Sequence, residues 1–349
     1  MRILKYLIFL FLIVTIGFAI YIAIQPDNYK VTRTTVINAP QSVLYNYIND
    51  TKEWPNWDPW YEKDPNAQLR YGEKTKGVGA TYSWNGEFIG KGKIKTTYST
   101  IDSISQNIHF ISPYESSAHD FWKLEPSNQQ DATIVTWGIE GELGFMEKAV
   151  MLFQGGMENN IGPDFERGLK KLDSLVIADM KKYSISLIGK TEYGGGYYLY
   201  QTASSKQNEV NLATNKMFPE LGAFMEQNYI SPSGTPFTLF EEWDDTNNTA
   251  IFSACIPVKE KIMTPPGSMI LCGYMEPGVY FKTILKGDYV NMDEAWSKTR
   301  EAIKKNEIAI DPARDAFETY IKSPDEYPNP ADLLSEIYIP IIENAERPD

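Results

Sequence analysis

The chain has 349 residues, of which 42% are hydrophobic and 23% charged, with a formal charge of −13. That length exceeds one ordinary core and predicts two domains, while the acidic balance, without Lys/Arg clusters, argues against a nucleic-acid partner. Two cysteines (Cys255, Cys272) and two histidines (His109, His119) exclude a Cys/His zinc site and offer no Cys/His or Ser/His nucleophile pairing, so no metal, cofactor or catalytic residue is assigned. Both cysteines sit in apolar strand-like runs, where buried free thiols are commoner than a disulfide.

At the N-terminus, Tyr6 to Ile24 is an uncharged apolar run of 19 residues, preceded by Arg2 and Lys5 and followed by Gln25-Pro26-Asp27. A helix of that length crosses a bilayer core. The bulky exit Ala19-Ile20-Tyr21-Ile22-Ala23-Ile24 lacks a small-x-small cleavage pattern and a lipobox cysteine, which favours an uncleaved anchor over a cleaved signal. With Arg2 and Lys5 inside, the expectation is a single-pass protein of the cell membrane, anchored by residues 1–26. Its soluble domains are then extracytoplasmic, although Lys30 and Arg33 dilute the charge asymmetry.

From Tyr29 to Asn38 the sequence alternates and is rich in β-branched residues, predicting a strand. Ala39-Pro40-Gln41-Ser42 opens a helix from Val43 to Asn49. Trp54, Trp57 and Trp60 follow between prolines; such a cluster caps a core or gates a cavity. Strands are predicted at 77–84, 86–98, 105–111, 117–125 and 133–142. His109 and His119 lie in them without acidic neighbours in sequence. A helical stretch from Glu147 to Lys182, interrupted near Gly155-Gly156 and Gly162-Pro163, carries Phe165, Leu169, Leu172, Val176 and Met180 at helical spacing. This order, with VTRTTVINAPQSVLYNYINDTKEWPNWDPW and GPDFERGLKKLDSL, resembles the SRPBCC superfamily, the START and polyketide-cyclase-like helix-grip fold, over residues 29–182. The resemblance implies a curved sheet wrapped around the long helix with an apolar cavity between them. It does not fix a ligand, because the superfamily includes enzymes, lipid carriers and binding modules.

The second half opens with a strand from Ser184 to Lys190. Gly194-Gly195-Gly196 has no helix directly after it and reads as a bend or bulge, not a phosphate cradle. A helix from Leu212 to Asn228 places Met217, Leu221, Phe224 and Met225 on one face, and strands follow at 237–243 and 250–258. The order then recurs: strand 278–285, helix 292–305, strands 316–321 and 335–341. A βαββ unit repeated at a spacing of about 80 to 95 residues implies pseudo-two-fold symmetry, with a groove where the units meet.

Alternation along a strand puts Glu318 and Tyr320 on one face of theirs, and Glu336 and Tyr338 on one face of theirs. Ile337, Ile339 and Ile341 lie behind the second pair, against a core. Two carboxylates and two phenols on an open sheet face suit an apolar, aromatic or cationic ligand; a solvated sheet face explains them equally. The stretches GVYFKTILKGDY, EAWSKTREAIKK, DAFETYIKSP and SEIYIPI resemble the GyrI-like small-molecule-binding domain, the effector-binding module of AraC-type and MerR-type regulators, over residues 183–342. That resemblance implies a groove glutamate amid aromatics and lands on Glu318, Tyr320, Glu336 and Tyr338 without deciding which glutamate is central. No helix-turn-helix precedes this part, so a role in transcription is not implied. The expectation is an α+β protein: a transmembrane helix, a helix-grip domain, then a GyrI-like domain. Its partners are a small-molecule ligand and the membrane. One alternative is a GyrI-like hydrolase of small electrophiles, for which no positioned catalytic partner stands out. Another is an interaction protein whose cavities are filled by side chains.

Overall fold

The computed structural model describes residues 2–129 and 131–343; Met1, the first residue of the expected anchor, lies outside them. The fold is mixed α+β, with two antiparallel sheets and one apolar N-terminal helix. It divides into two compact units, one ending at Asp179 and one beginning at Met180.

Unit 1 starts with α1 (Arg2–Ala23). Its stretch Ile3–Ala23 has a mean hydropathy of 2.6 and is 6% buried, a composition that suits a membrane span or a signal sequence. After β1 (Asn28–Ile37) come α2 (Gln41–Asn49), α3 (Trp54–Trp57) and α4 (Pro59–Lys63). The strands β2 (Gln68–Tyr71), β3 (Thr81–Asn85), β4 (Lys91–Thr100), β5 (Ser103–Ser112), β6 (Ser116–Pro126) and β7 (Thr133–Glu142) follow, then α5 (Phe145–Gln154) and α6 (Gly156–Met180). The sheet order is β1-β7-β6-β5-β4-β3-β2. The short β2 was not expected from sequence.

The long helix α6 packs on the sheet through its apolar stripe. Phe165, Leu169, Leu172 and Val176 are at most 3% exposed, and Phe165 stacks on Trp137 with ring centroids 4.0 Å apart. A Cβ at Gly168 would lie 2.7 Å from the Trp137 ring, so glycine there permits the close approach. The chain breaks at Gly155, whose φ of 83° closes α5, but not at Gly162-Pro163, where α6 runs through. An interior proline costs roughly 3 kcal/mol, whereas each of the four buried apolar side chains returns about 1.5–3 kcal/mol.

Unit 2 consists of β8 (Ser184–Tyr193), β9 (Gly196–Lys206), α7 (Val210–Gln227), β10 (Phe237–Asp244), β11 (Thr249–Val258), β12 (Leu271–Met275), β13 (Gly278–Lys286), α8 (Met292–Lys305), β14 (Ala316–Lys322) and β15 (Leu334–Pro340). One eight-stranded sheet has the order β12-β9-β11-β10-β14-β15-β13-β8. The βαββ order recurs as β9-α7-β10-β11 and β13-α8-β14-β15, and β10 pairs with β14 between the two. The first repeat thus begins at β9, not at the expected Ser184 strand. The strands preceding the repeats are exchanged: β8 pairs with β13, and β12 with β9. Helices α7 and α8 bury one face of the sheet against Leu199, Phe252 and Ile256, and against Phe281, Ile337 and Ile339. Cys255 is buried and Cys272 half-buried, both as free thiols.

Candidate functional site

The pairing of β14 with β15 decides which side chains meet. Phe317 lies opposite Tyr338, Glu318 opposite Ile337, and Thr319 opposite Glu336. Residues directly opposite share a face. Glu318 and Tyr320 therefore lie on the helix-covered face with Ile337, and Glu336 and Tyr338 on the other. The four residues expected on one open face are two pairs back to back, because the register is offset by one residue from the one that would align them.

Glu318 is 4% exposed and is enclosed by α8. Its carboxylate accepts from the indole N–H of Trp296 at 2.7 Å and from the Tyr320 hydroxyl at 2.7 Å. Tyr320 also shares a 2.8 Å hydrogen bond with the Thr238 hydroxyl. Burial raises the Glu318 carboxyl against the lowering effect of both donors, and burial with the neighbouring carboxylate raises the Tyr320 phenol. This is a satisfied internal network.

Glu336 faces away from the helices, among aromatics. Tyr338 stacks on Phe317 at 4.7 Å and meets Tyr193 at 5.2 Å and Tyr280 at 6.1 Å. The Glu336 side chain, 14% exposed, pairs with Lys282 Nζ at 2.8 Å and accepts from the Tyr338 hydroxyl at 2.5 Å. Lys282 Nζ also stands 5.4 Å from the Tyr338 ring centroid. Burial first, and then the Glu336 charge, push the Tyr338 phenol well up, so it stays a donor. Beside this group is a cavity of about 630 Å³ lined by Tyr193, Tyr197, Tyr274, Thr319, Glu336 and Tyr338. The Thr319 hydroxyl is buried there without a hydrogen-bond partner among the described residues. Sequence reasoning missed Lys282, which sits opposite Tyr338 on β13, and Thr319. Lys282 was visible as the one charge within the apolar run GVYFKTIL. It balances the Glu336 charge at 2.8 Å.

Unit 1 has its own cavity, of about 410 Å³, between the sheet and the start of α6. Its lining includes Trp54, Trp57, Trp60, Trp122 and Trp137 with three carboxylic acids, Asp58, Asp120 and Asp164, the last paired with Lys63 at 2.5 Å. The tryptophan cluster thus does more than cap the core. Trp137 stacks on Trp122 at 4.4 Å and donates its indole N–H to Asp120 at 2.8 Å. Burial lifts the Asp120 carboxyl to about 7 against that hydrogen bond. Asp58 caps α4 by accepting from Trp60 N at 2.7 Å, and burial lifts it to about 6. The indole N–H of Trp57 is buried without an acceptor among the described residues, and that of Trp122 acts with Trp137 in holding the Asp120 carboxyl down. None of these acids was singled out from sequence. The signal for Asp120 is its place in the alternating inward set Ala118, Asp120, Trp122, Leu124, all buried.

A wider groove of about 1330 Å³ crosses polar residues of the same sheet, among them Lys30, Lys93, Lys95, His119 and Glu140. Its Lys30–Glu140 pair, at 2.9 Å, is 60% and 42% exposed, as expected of a solvated face. The histidines do have acidic partners: His109 lies 3.5 Å from Glu115, in the connection between β5 and β6, and His119 3.4 Å from Glu140 on β7. Among the described residues no group of three or more His, Cys, Asp or Glu is placed to hold a metal ion.

No family model matches the chain, and no curated protein matches it. Among solved structures, the chain is similar to the EcmrR C-terminal domain at 16% identity, covering 46% of this chain and 98% of that one with a TM-score of 0.37. A cryo-EM structure of an EcmrR–DNA complex is 14% identical, covers 56% of this chain and 71% of that one, and has a TM-score of 0.39. A protein from Nitrosospira multiformis is 20% identical, covers 42% of this chain and 94% of that one, and has a TM-score of 0.32.

Proposed function

We propose that the protein is a membrane-anchored small-molecule-binding protein: an anchor at residues 1–26, a helix-grip domain at 29–182 and a GyrI-like domain at 183–342. The binding group of the last is Glu336 with Tyr338, Lys282 and Thr319, and its ligand is an aromatic organic cation. The observation that carries this reading is the half-buried Glu336 carboxylate beside an aromatic-lined cavity, balanced by a displaceable lysine and not by a fixed arginine. A planar cation gains ring stacking, cation–π attraction and the carboxylate together in a partly dry site. The released Lys282 ammonium reaches water along its flexible stem. Glu318 and Tyr320, on the helix-covered face, hold the support under the groove.

Calorimetric titration of the full chain in detergent with rhodamine 6G, a planar aromatic cation, tests this. Glu336→Gln should weaken binding by roughly 1–3 kcal/mol, and Glu318→Gln should leave it unchanged. Equal affinity for wild type and Glu336→Gln would refute the assignment.

A further inference from the structure

Helix α5 carries a surface that neither the core nor a ligand site accounts for. At 100° per residue, Phe145, Ala149, Leu152, Phe153 and Met146 fall within an arc of about 120°. Phe153 is 78% exposed, Met146 62%, Phe145 47% and Leu152 36%. Single exposed apolar residues are ordinary, but four large ones on one helical arc form a patch that marks a contact surface.

What covers the patch follows from the neighbour of α5. Lys148, 7% exposed and the one buried residue of α5, reaches the C-terminal end of α1. It donates to Gln25 O at 2.9 Å and Ala23 O at 3.4 Å and pairs with Asp27. A cation is favoured at that end of a helix, where backbone carbonyls lack partners. From this clamp α5 runs back along α1, and Phe153 meets Phe18 with ring centroids 5.8 Å apart. Phe18 precedes the last residue of α1 by five positions, so it lies about 8 Å below the helix end. Whatever surrounds Phe18 therefore surrounds Phe153. If α1 spans a bilayer, Phe153 is within its hydrocarbon edge, at the roughly 5–10 Å depth of interfacial helices.

We propose that α5 is a second membrane contact, a helix whose apolar arc enters the same bilayer leaflet that α1 exits and whose Lys148 holds it to the anchor. The proposal rests on the reading of α1 as an uncleaved anchor. The contact restrains unit 1 against rotation about its tether. It also sets the first turns of α6, where Asn160 and Ile161 line the tryptophan cavity, at the membrane surface.

The test uses the full chain in phosphatidylcholine vesicles that contain a phospholipid with a diazirine on its acyl chain. After irradiation, adducts are mapped by mass spectrometry. Labelling of residues 145–154 comparable to that of α1, and absent from residues 165–180, is expected. The double substitution Phe145→Glu/Phe153→Glu should remove the α5 adducts and leave those on α1. Adducts on α1 alone in the wild type would overturn the proposal while leaving the anchor intact. Adducts on neither helix would overturn both.

Discussion

Replacing Asp120 by asparagine should stabilise unit 1 at neutral pH, against the usual outcome for a buried residue. Asp120 is 4% exposed and its carboxyl is lifted to about 7 in the folded chain, compared with about 3.9 in an unfolded one. A folded-state value above the unfolded one means that the native state holds the proton more tightly. The group's contribution is then fully present below about pH 4 and is lost as pH rises through about 7. Three units at 1.36 kcal/mol each give at most about 4 kcal/mol, and roughly 2–4 kcal/mol is the working range. Asparagine keeps an oxygen to accept from the Trp137 indole N–H, now 2.8 Å from the carboxylate, and cannot ionise. Its stability advantage should grow from near zero at pH 4 to its full size at pH 7. Asp58, lifted to about 6, declines in both proteins and flattens first, so pH 6 to 7 isolates Asp120. Urea unfolding followed by tryptophan fluorescence is a direct assay, because Trp54, Trp57, Trp60, Trp84, Trp122 and Trp137 all lie in unit 1. Parallel pH profiles for the two proteins would refute the reasoning, as would an Asp120→Asn variant less stable than wild type at pH 8.

Phe165→Ala removes a fully buried ring stacked on Trp137 and should cost unit 1 about 3–5 kcal/mol; the same denaturation series reads it, and a loss under 1 kcal/mol would show that the helix–sheet seam is not held there. Glu318→Gln should be neutral or raise the melting temperature of unit 2 at pH 7, since it removes a desolvated charge while Trp296 keeps an acceptor and Tyr320 can turn its proton toward Thr238. A clear fall in melting temperature would mean that the carboxylate itself is stabilising. Lys282→Met leaves Glu336 without its cation and should cost roughly 1–3 kcal/mol of folding stability while strengthening binding of rhodamine 6G, because no ammonium has to leave; unchanged affinity would indicate that the pair stays closed in the complex.

Period-2 alternation was enough to place each glutamate beside a tyrosine, and both Glu–Tyr hydrogen bonds exist. The relative facing of the two pairs was not readable, because it depends on a register set across the Ser323–Leu333 connection, and a slip of one residue turns a strand over. Helices α7 and α8 were legible from their apolar spacing. By contrast, β12 is five residues long with a central glycine and carries little pattern of its own; its place is fixed by pairing with β9. The tryptophan cluster was legible as a core cap or cavity gate, yet its ionisable partners Asp58 and Asp120 were not, because they meet only where α3 and α4 pack on the sheet through Trp57 against Trp122 and Trp137. Proline 163 illustrates the converse: local preference pointed to a break, and packing of the flanking stripe overrode it.

The exchange of strands in unit 2 has a mechanical consequence. Each βαββ half receives its outermost strand from the segment that leads into the other half, so the two are laced across the central β10–β14 seam. A protease nick between Lys259 and Ile270, in the stretch joining β11 to β12, would leave two fragments joined by three separate hydrogen-bonded seams, and they should copurify until denatured. Force applied at Ser184 and Pro340 acts at opposite ends of β13, which pairs with both β8 and β15, so these seams are loaded in shear. Neither half, expressed alone, would have a finished edge, and each would present a bare strand to any chain it met.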